Sequence, residues 1–410
     1  MGRPRPVSSP IGLALSSAIS ILLLSGCSSA TPTPSVASPA PSVGASGPPS
    51  STAAAASVSP LPSAPASTLR SAAPTPTDIP AGWHKVWPGS ADPKSLLQTV
   101  LATTRGFVAA GSGANGQSPA AVSSTDGVTW HAERITGGNR APAELATWGD
   151  RILAAGPGGV ACAHPYGLDT WVRSAAGAWS EAPFSNMLCG AEDVQIAFVG
   201  DVPVLVGVGP GDNPVVWSST DGLNWVDHGG AFRGLLPEAV ISDGATATLI
   251  AEGPTATWSS STTDGSDWSG PNAIPGLPGG LVIRGLFQID GGPTIIASQG
   301  GVLGTIRADG SAWIRTPATG LTPDELGTIS AYDGGLLAVG GNGPGAQAWV
   351  SRDGASWREL DLPAELAAEG AHVGGVAVRD GRAILVGGWP VGADDATSTI
   401  WTGPASLLVP

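Results

Sequence analysis

Charge is scarce in this chain of 410 residues: Asp, Glu, Lys and Arg together make up 12%. Tyr and Phe are scarce too, with 2 and 5 copies against 15 Trp. Long helices are disfavoured, because Gly and Pro number 60 and 38, and both residues weaken a helix interior. That content suits many short strands joined by tight turns. The charge that is present is one-sided, at −14 overall, so the surface repels phosphate backbones and nucleic acid is not expected as a partner. No Gly-x-Ser-x-Gly nucleophile elbow occurs. The five His residues (His84, His131, His164, His228, His372) are scattered, with no His-x-x-x-His pair to hold a metal. Asp394–Asp395 and Asp212–Asn213 are acidic loop pairs outside any Ca²⁺-loop pattern. Neither a metal nor another cofactor is expected.

The N-terminus carries a targeting signal. Arg3 and Arg5 form a short basic region, followed by an apolar stretch from Ile11 to Leu24 that ends in Leu24-Ser25-Gly26-Cys27. A basic start, an apolar run of this length and small residues before a cleavage point belong to a secretory signal peptide. The ending resembles the bacterial lipobox, which implies removal of residues 1–26 and lipidation of the Cys27 thiol. Localisation on the extracytoplasmic face of the cell membrane, through that lipid anchor, is the expectation. Residues 27–80 are almost wholly Ser, Thr, Pro, Ala and Gly. Such a segment buries too little apolar area to offset its conformational entropy, so a disordered tether is expected there. It would span roughly 40 Å as a coil or about 160 Å as extended polyproline.

Beyond Pro80 a repeat begins. "SSTDGVTW" at 123–130 returns as "SSTDGLNW" at 218–225, "SSTTDGSDW" at 260–268, "RADGSAW" at 307–313 and "SRDGASW" at 351–357. With Trp179 added, the closing Trp residues lie 49, 46, 43, 45 and 44 residues apart, a period that points to a propeller or solenoid. Each unit also holds an apolar run ending in Gly, such as "FVAAG" at 107–111, "ILAAG" at 152–156, "LLAVG" at 336–340 and "ILVGG" at 384–388. A third run often holds another Trp: Trp171, Trp217, Trp258, Trp349. The Asp-Gly pair then turns the chain into a fourth strand, since Asp and Gly tolerate the positive φ of a tight hairpin. Four-stranded units of this length repeated around an axis make a β-propeller. First strands near 97–103, 142–148, 192–198, 238–242, 281–289, 326–332 and 373–379 count seven blades over 81–410. The last unit nearly runs out of chain. "AGWHKVW" at 81–87 is therefore expected to close the ring within an N-terminal strand at 81–88, with Leu407-Leu408-Val409 as the rival.

The turn is similar to the Asp box of sialidase-like (BNR-repeat) propellers, with Asp and Gly adjacent at Asp126-Gly127, Asp221-Gly222, Asp264-Gly265, Asp309-Gly310 and Asp353-Gly354. A second likeness is to kelch propellers, through Gly340-Gly341 and Gly387-Gly388. In sialidase-like families the Asp box lies opposite the active site, so the resemblance implies that these turns stabilise rather than react. A sialidase site also needs several Arg, a Tyr–Glu pair and an acid. Here only Tyr166 and Tyr332 are available, and Arg284 is the best inner-strand Arg.

Cys162 and Cys189 remain after Cys27; an exported chain favours a disulfide between them, with two buried free thiols as the alternative. Both fall in long, dissimilar connections on the face away from the Asp-Gly turns. Variable loops on a rigid scaffold are where function concentrates, so His164, Tyr166, Phe232, Arg233, Trp389, Asp394 and Asp395 are the candidate binding contacts. The expected role is a non-catalytic binding or scaffold module in the cell envelope, for a protein, polysaccharide or peptide partner. A sialidase-like glycoside hydrolase and an assembly factor for a membrane complex are the alternatives.

Overall fold

Each apolar run of the repeat pairs antiparallel with the run that follows it, giving seven sheets, six of four strands and one of five. In a computed structural model, residues 81–87, 95–113, 118–137, 141–158, 167–182, 188–189, 193–209, 213–309, 312–322, 325–340, 345–389 and 397–409 are described. Blade one comprises Leu96–Thr103, Gly106–Ser112, Pro119–Ser124 and His131–Glu133. Blade two comprises Glu144–Trp148, Arg151–Gly158, Gly167–Arg173 and Trp179–Glu181, with Leu188–Cys189 also paired to its third strand. Blade three follows with Asp193–Val199, Val202–Gly209, Asn213–Ser219 and Trp225–Asp227. Blade four has Leu236–Ser242, Ala247–Glu252, Ala256–Thr262 and Asn272–Pro278. Blade five has Val282–Ile289, Gly292–Gln299, Val302–Asp309 and Ala312–Pro317, and blade six Leu326–Tyr332, Gly335–Gly340, Gln347–Ser351 and Arg358–Glu359. Blade seven takes His372–Arg379, Arg382–Trp389 and Thr397–Pro404 from the C-terminal end and His84–Trp87 from the N-terminal end. The first strands of successive blades touch one another, and those of blades seven and one touch as well, so the ring is closed. The fold is a seven-bladed β-propeller.

His84–Trp87 lies antiparallel to Thr397–Pro404, with His84 opposite Thr402. The segment Ala405–Leu408 forms a 3-10 turn instead of a strand. It is pinned to blade six, where the Tyr332 hydroxyl donates to the Leu408 carbonyl at 2.8 Å. The Arg358 guanidinium donates to the carbonyls of Leu407 and Val409 at 3.0 and 2.7 Å.

The second strand of each blade lies inside its sheet and is covered on both faces by neighbouring blades. That is why Gly106–Ser112 is buried along its whole length, and why these runs are continuously apolar instead of alternating. Their terminal glycines have a steric cause. In blades one, six and seven, the first strand carries a bulge facing the end of the second strand, which turns a first-strand carbonyl inward. A Cβ on Gly111 would lie 2.0 Å from the Leu96 oxygen, and on Gly340 2.0 Å from that of Glu325. Gly156 and Gly387 meet the carbonyls of Ala141 and His372 at 2.1 and 2.4 Å in the same way. Only glycine fits.

The core is not one mass but a series of layers, each shared by two adjacent blades. Trp130 packs in a layer with Ile384 and Val386 of blade seven, and Trp179 with Val108 and Ala110 of blade one. Trp225, Trp268, Trp313 and Trp357 do the same against blades two, three, four and five. The seventh indole is Trp83, packed with Leu337 and Val350 of blade six.

Candidate functional site

The Asp-Gly turns are built from one set of bonds. Ser124 Oγ accepts the Gly127 N–H at 2.8 Å and donates to Asp126 Oδ1 at 3.0 Å. Asp126 Oδ1 then accepts the N–H groups of Val128 and Thr129 at 2.8 and 2.7 Å. The same pattern recurs at Ser219/Asp221, Thr262/Asp264 and Ser351/Asp353. These carboxylates are acidified by their bonds. At Asp264 the N–H groups of Asp267 and Ser266 bring the pKa down to about 2. At Asp221 the cost of partial burial is overcome by the Asn224 side chain and the Asn224 and Leu223 N–H groups, again to about 2.

The glycine of each turn has two constraints. Gly127, Gly222, Gly265 and Gly354 hold φ between 70 and 81°, the left-handed region that favours glycine. Each also presses on the blade before its own. A Cβ at Gly222 would lie 2.7 Å from Val172 Cγ2, and one at Gly127 2.6 Å from Arg382 Cδ. Asp309 ends a strand, and Gly310 lies outside the described residues. Four repeated turns thus spend their polar groups on architecture.

Inter-blade polar links supplement the indoles. Glu133 of blade one receives Arg173 of blade two through Nε at 2.8 Å and a second guanidinium nitrogen at 2.5 Å, and also the Trp179 indole N–H at 2.7 Å. Nearer the axis, Glu144 on the first strand of blade two accepts the Ile196 N–H of blade three at 3.0 Å. Gln195 of blade three accepts the Val240 N–H at 3.2 Å and donates to the Glu238 carbonyl at 3.3 Å. Protein closely surrounds Glu144 although part of its surface stays open. Burial pushes its pKa up to about 7, against the Ile196 N–H. Arg284, at a first-strand bulge of blade five, is half-buried and its Nε has no hydrogen-bond partner among the described residues.

The candidate loop contacts separate sharply. Arg233 is exposed, on the connection that leads from blade three to blade four. Phe232 is not available: it is 1% exposed, packed between blades three and four with its ring edge-on to Trp268 at 5.6 Å. The 3-10 turn Gly229–Phe232 folds that ring under the loop. Trp389 ends the second strand of blade seven, opposite Thr397. Cys27, Cys162, His164, Tyr166, Asp394 and Asp395 lie outside the described residues, so the pairing of Cys162 with Cys189 does too. Cys189 stands opposite Gly167 at the edge of blade two.

Tyr332 gives its hydroxyl to Leu408, and burial pushes its pKa up to about 12 against the pull of Arg358 and Arg352. It is therefore a poor nucleophile near neutral pH. Glu369 and His372 have Glu-x-x-His spacing but do not converge: Glu369 is exposed, whereas the half-buried His372 ring bonds the Gly388 carbonyl at 2.9 Å. Among the described residues, no group of three or more His, Cys, Asp or Glu side chains is placed to hold a metal.

Sequence reasoning missed Glu144 and Gln195. Their signal was a long polar side chain within an otherwise apolar first strand, in "ELATW" and "DVQIAFV". It also missed a cleft of about 390 Å³ on blade four lined by Thr246, Ser261, Thr262, Thr263, Asp267, Trp268 and Ser269.

No protein-family model and no curated protein matches the chain by sequence. Solved structures resemble the chain at low identity. YCF48 from Cyanidioschyzon merolae is 16% identical over 80% of this chain and 100% of its own, with a TM-score of 0.47. YCF48 bound to D1 peptide is 14% identical over 81% and 99%, with a TM-score of 0.48. The Penicillium chrysogenum alpha-L-arabinanase complexed with arabinobiose is 10% identical over 65% and 93%, at 0.39.

Proposed function

We propose that the chain is a cell-envelope lipoprotein, lipidated at Cys27, whose propeller is a non-catalytic binding or scaffold module for an extracytoplasmic partner. Residues 27–80 act as its tether in this reading. The observation that carries it is the unequal use of the two faces. On one, short turns recur from blade to blade and the Asp-Gly carboxylates are consumed by their own backbones. Trp83 occupies the place that Trp130 holds in blade one, directly before the outer strand, so the chain enters the propeller on this same face. The opposite face carries the dissimilar connections, with Arg233 exposed on one of them, and loops of that kind are where recognition concentrates. A peptide and a disaccharide are recorded with neighbours of this fold, so fold does not choose between a protein or peptide partner and a polysaccharide.

Two measurements test the reading. Metabolic labelling with a clickable fatty acid should mark the full chain and not Cys27→Ala; an unlabelled wild type contradicts the anchor. A photo-crosslinking residue at Arg233 should capture a defined partner in intact envelopes, while one at the exposed Val128, in the blade-one Asp-Gly turn on the opposite face, should not. Equal capture at both positions contradicts the face assignment.

A further inference from the structure

Blade four departs from the others at its Asp-Gly turn. In blades one, two, three and six the outer strand starts at the repeat Trp or on the next residue. In blade four Trp268 is followed by Ser269-Gly270-Pro271, and the outer strand starts only at Asn272. The extra residues are held in place: Ser269 N–H donates to the Ser261 carbonyl at 2.8 Å, and Ser269 Oγ accepts the Ser261 N–H at 2.9 Å. Ser260 Oγ donates to the Ser269 carbonyl at 2.5 Å. This displacement opens the cleft beside the turn. Trp130, Trp179 and Trp357 are buried in the equivalent position, whereas Trp268, like Trp225 and Trp313, is half-buried; of these, Trp268 forms part of the cleft wall.

The lining has a consistent chemistry. Hydroxyl groups come from Thr246, Ser261, Thr262, Thr263 and Ser269, a carboxylate from Asp267, and an aromatic surface from Trp268. Thr262 Oγ1 is committed to the turn, where it accepts the Gly265 N–H and donates to Asp264. The Thr246, Ser261 and Thr263 hydroxyls and the Asp267 carboxylate are engaged by no other group among the described residues. They face water with their full bonding capacity. No Lys or Arg contributes, so a phosphate or carboxylate ligand has nothing to pair with. A neutral, hydroxyl-rich ring fits on every count. Its C–H face meets the electron-rich indole face, its hydroxyls exchange bonds with the Ser and Thr groups, and the carboxylate accepts from an adjacent hydroxyl at charge-assisted strength. The cleft is shallow and open to solvent along one side, which suits a single ring lying against the surface rather than an enclosed ligand.

We infer that this cleft is a saccharide subsite, taking one neutral sugar ring of a glycan chain. It lies on the Asp-Gly face, away from the loops of the proposed partner face, and depends on neither the lipid anchor nor that face. The test is calorimetric titration of the purified full chain with maltotetraose, cellotetraose and α-1,6-mannotetraose. At least one should bind, and Asp267→Ala and Thr263→Val should each weaken it, the former about tenfold, as loss of a charge-assisted bond implies. Both side chains are exposed, so neither variant threatens the fold, and unchanged unfolding midpoints verify that. Absence of binding by all three probes at about 10 mM, or binding unaltered in both variants, overturns the assignment. Capture of a Lys-rich peptide in the same cleft, with no glycan bound, overturns it equally.

Discussion

The Trp83 indole N–H donates to the Asp361 carbonyl at 3.1 Å, joining residues 278 positions apart in the chain. Trp83 lies in the layer between blades seven and six, while Trp87 lies in the layer between blades seven and one. One short strand therefore seals both sides of the last blade. Trp83→Ala should cost about 2–4 kcal/mol, the lower part of the range for removing an aromatic ring from a packed layer, since the ring is only half-buried. Urea unfolding followed by far-UV and tryptophan signals should show one earlier, coincident transition. Two separated transitions would show that the seam is not coupled to the ring.

Glycine in the Asp-Gly turns is required twice, by φ and by space, and the two requirements can be separated. Gly200→Ala meets positive φ with nothing within 4 Å and should cost about 1 kcal/mol, the left-handed penalty alone. Gly222→Ala adds the encounter with Val172 and Trp148 and should cost about 1–3 kcal/mol more. Equal losses in the two variants would remove the inter-blade role of this glycine.

Glu133 and Arg173 form a buried pair, with side chains 11 and 16% exposed. Arg173→Leu leaves the Glu133 carboxylate buried with only the Trp179 indole and nearby hydroxyls, so a loss of about 3–5 kcal/mol is expected. Replacing both residues by Leu should recover part of that loss, and a double-mutant cycle on unfolding midpoints checks it.

Glu144 makes stability fall with rising pH. Its folded pKa of about 7 lies above the ordinary 4.5, so the folded state holds the extra proton between those values. The contribution is complete below about pH 4.5 and is lost as pH rises through 7. With screening by water at its open surface, the loss is about 1–2 kcal/mol. Glu144→Gln keeps an acceptor for the Ile196 N–H and should flatten the urea-midpoint profile between pH 5 and 8.5. An unchanged slope would mean that another group titrates.

The architecture was readable because the repeat encodes it locally. An apolar run ending in glycine, then Asp-Gly, then Trp is enough to position strands, turns and inter-blade indoles. What escaped depends on contacts between distant segments. Nothing local to Phe232 shows that its ring turns under the loop against Trp268. Glu144 and Gln195 become linked only when the first strands of blades two, three and four converge. The blade-four cleft lies beside three residues that separate Trp268 from its outer strand, a delay whose effect appears only in the folded sheet.

Ring closure by the N-terminal strand is tested most directly by two truncations compared in urea. Removing residues 1–80 should leave the unfolding midpoint of the full chain unchanged, because the propeller strand starts at His84. Removing 1–87 deletes Trp83, the strand opposite Thr397–Pro404 and Trp87, and should lower the midpoint of the whole propeller or prevent its folding. Identical midpoints for the two truncations would contradict a ring closed from its N-terminal end.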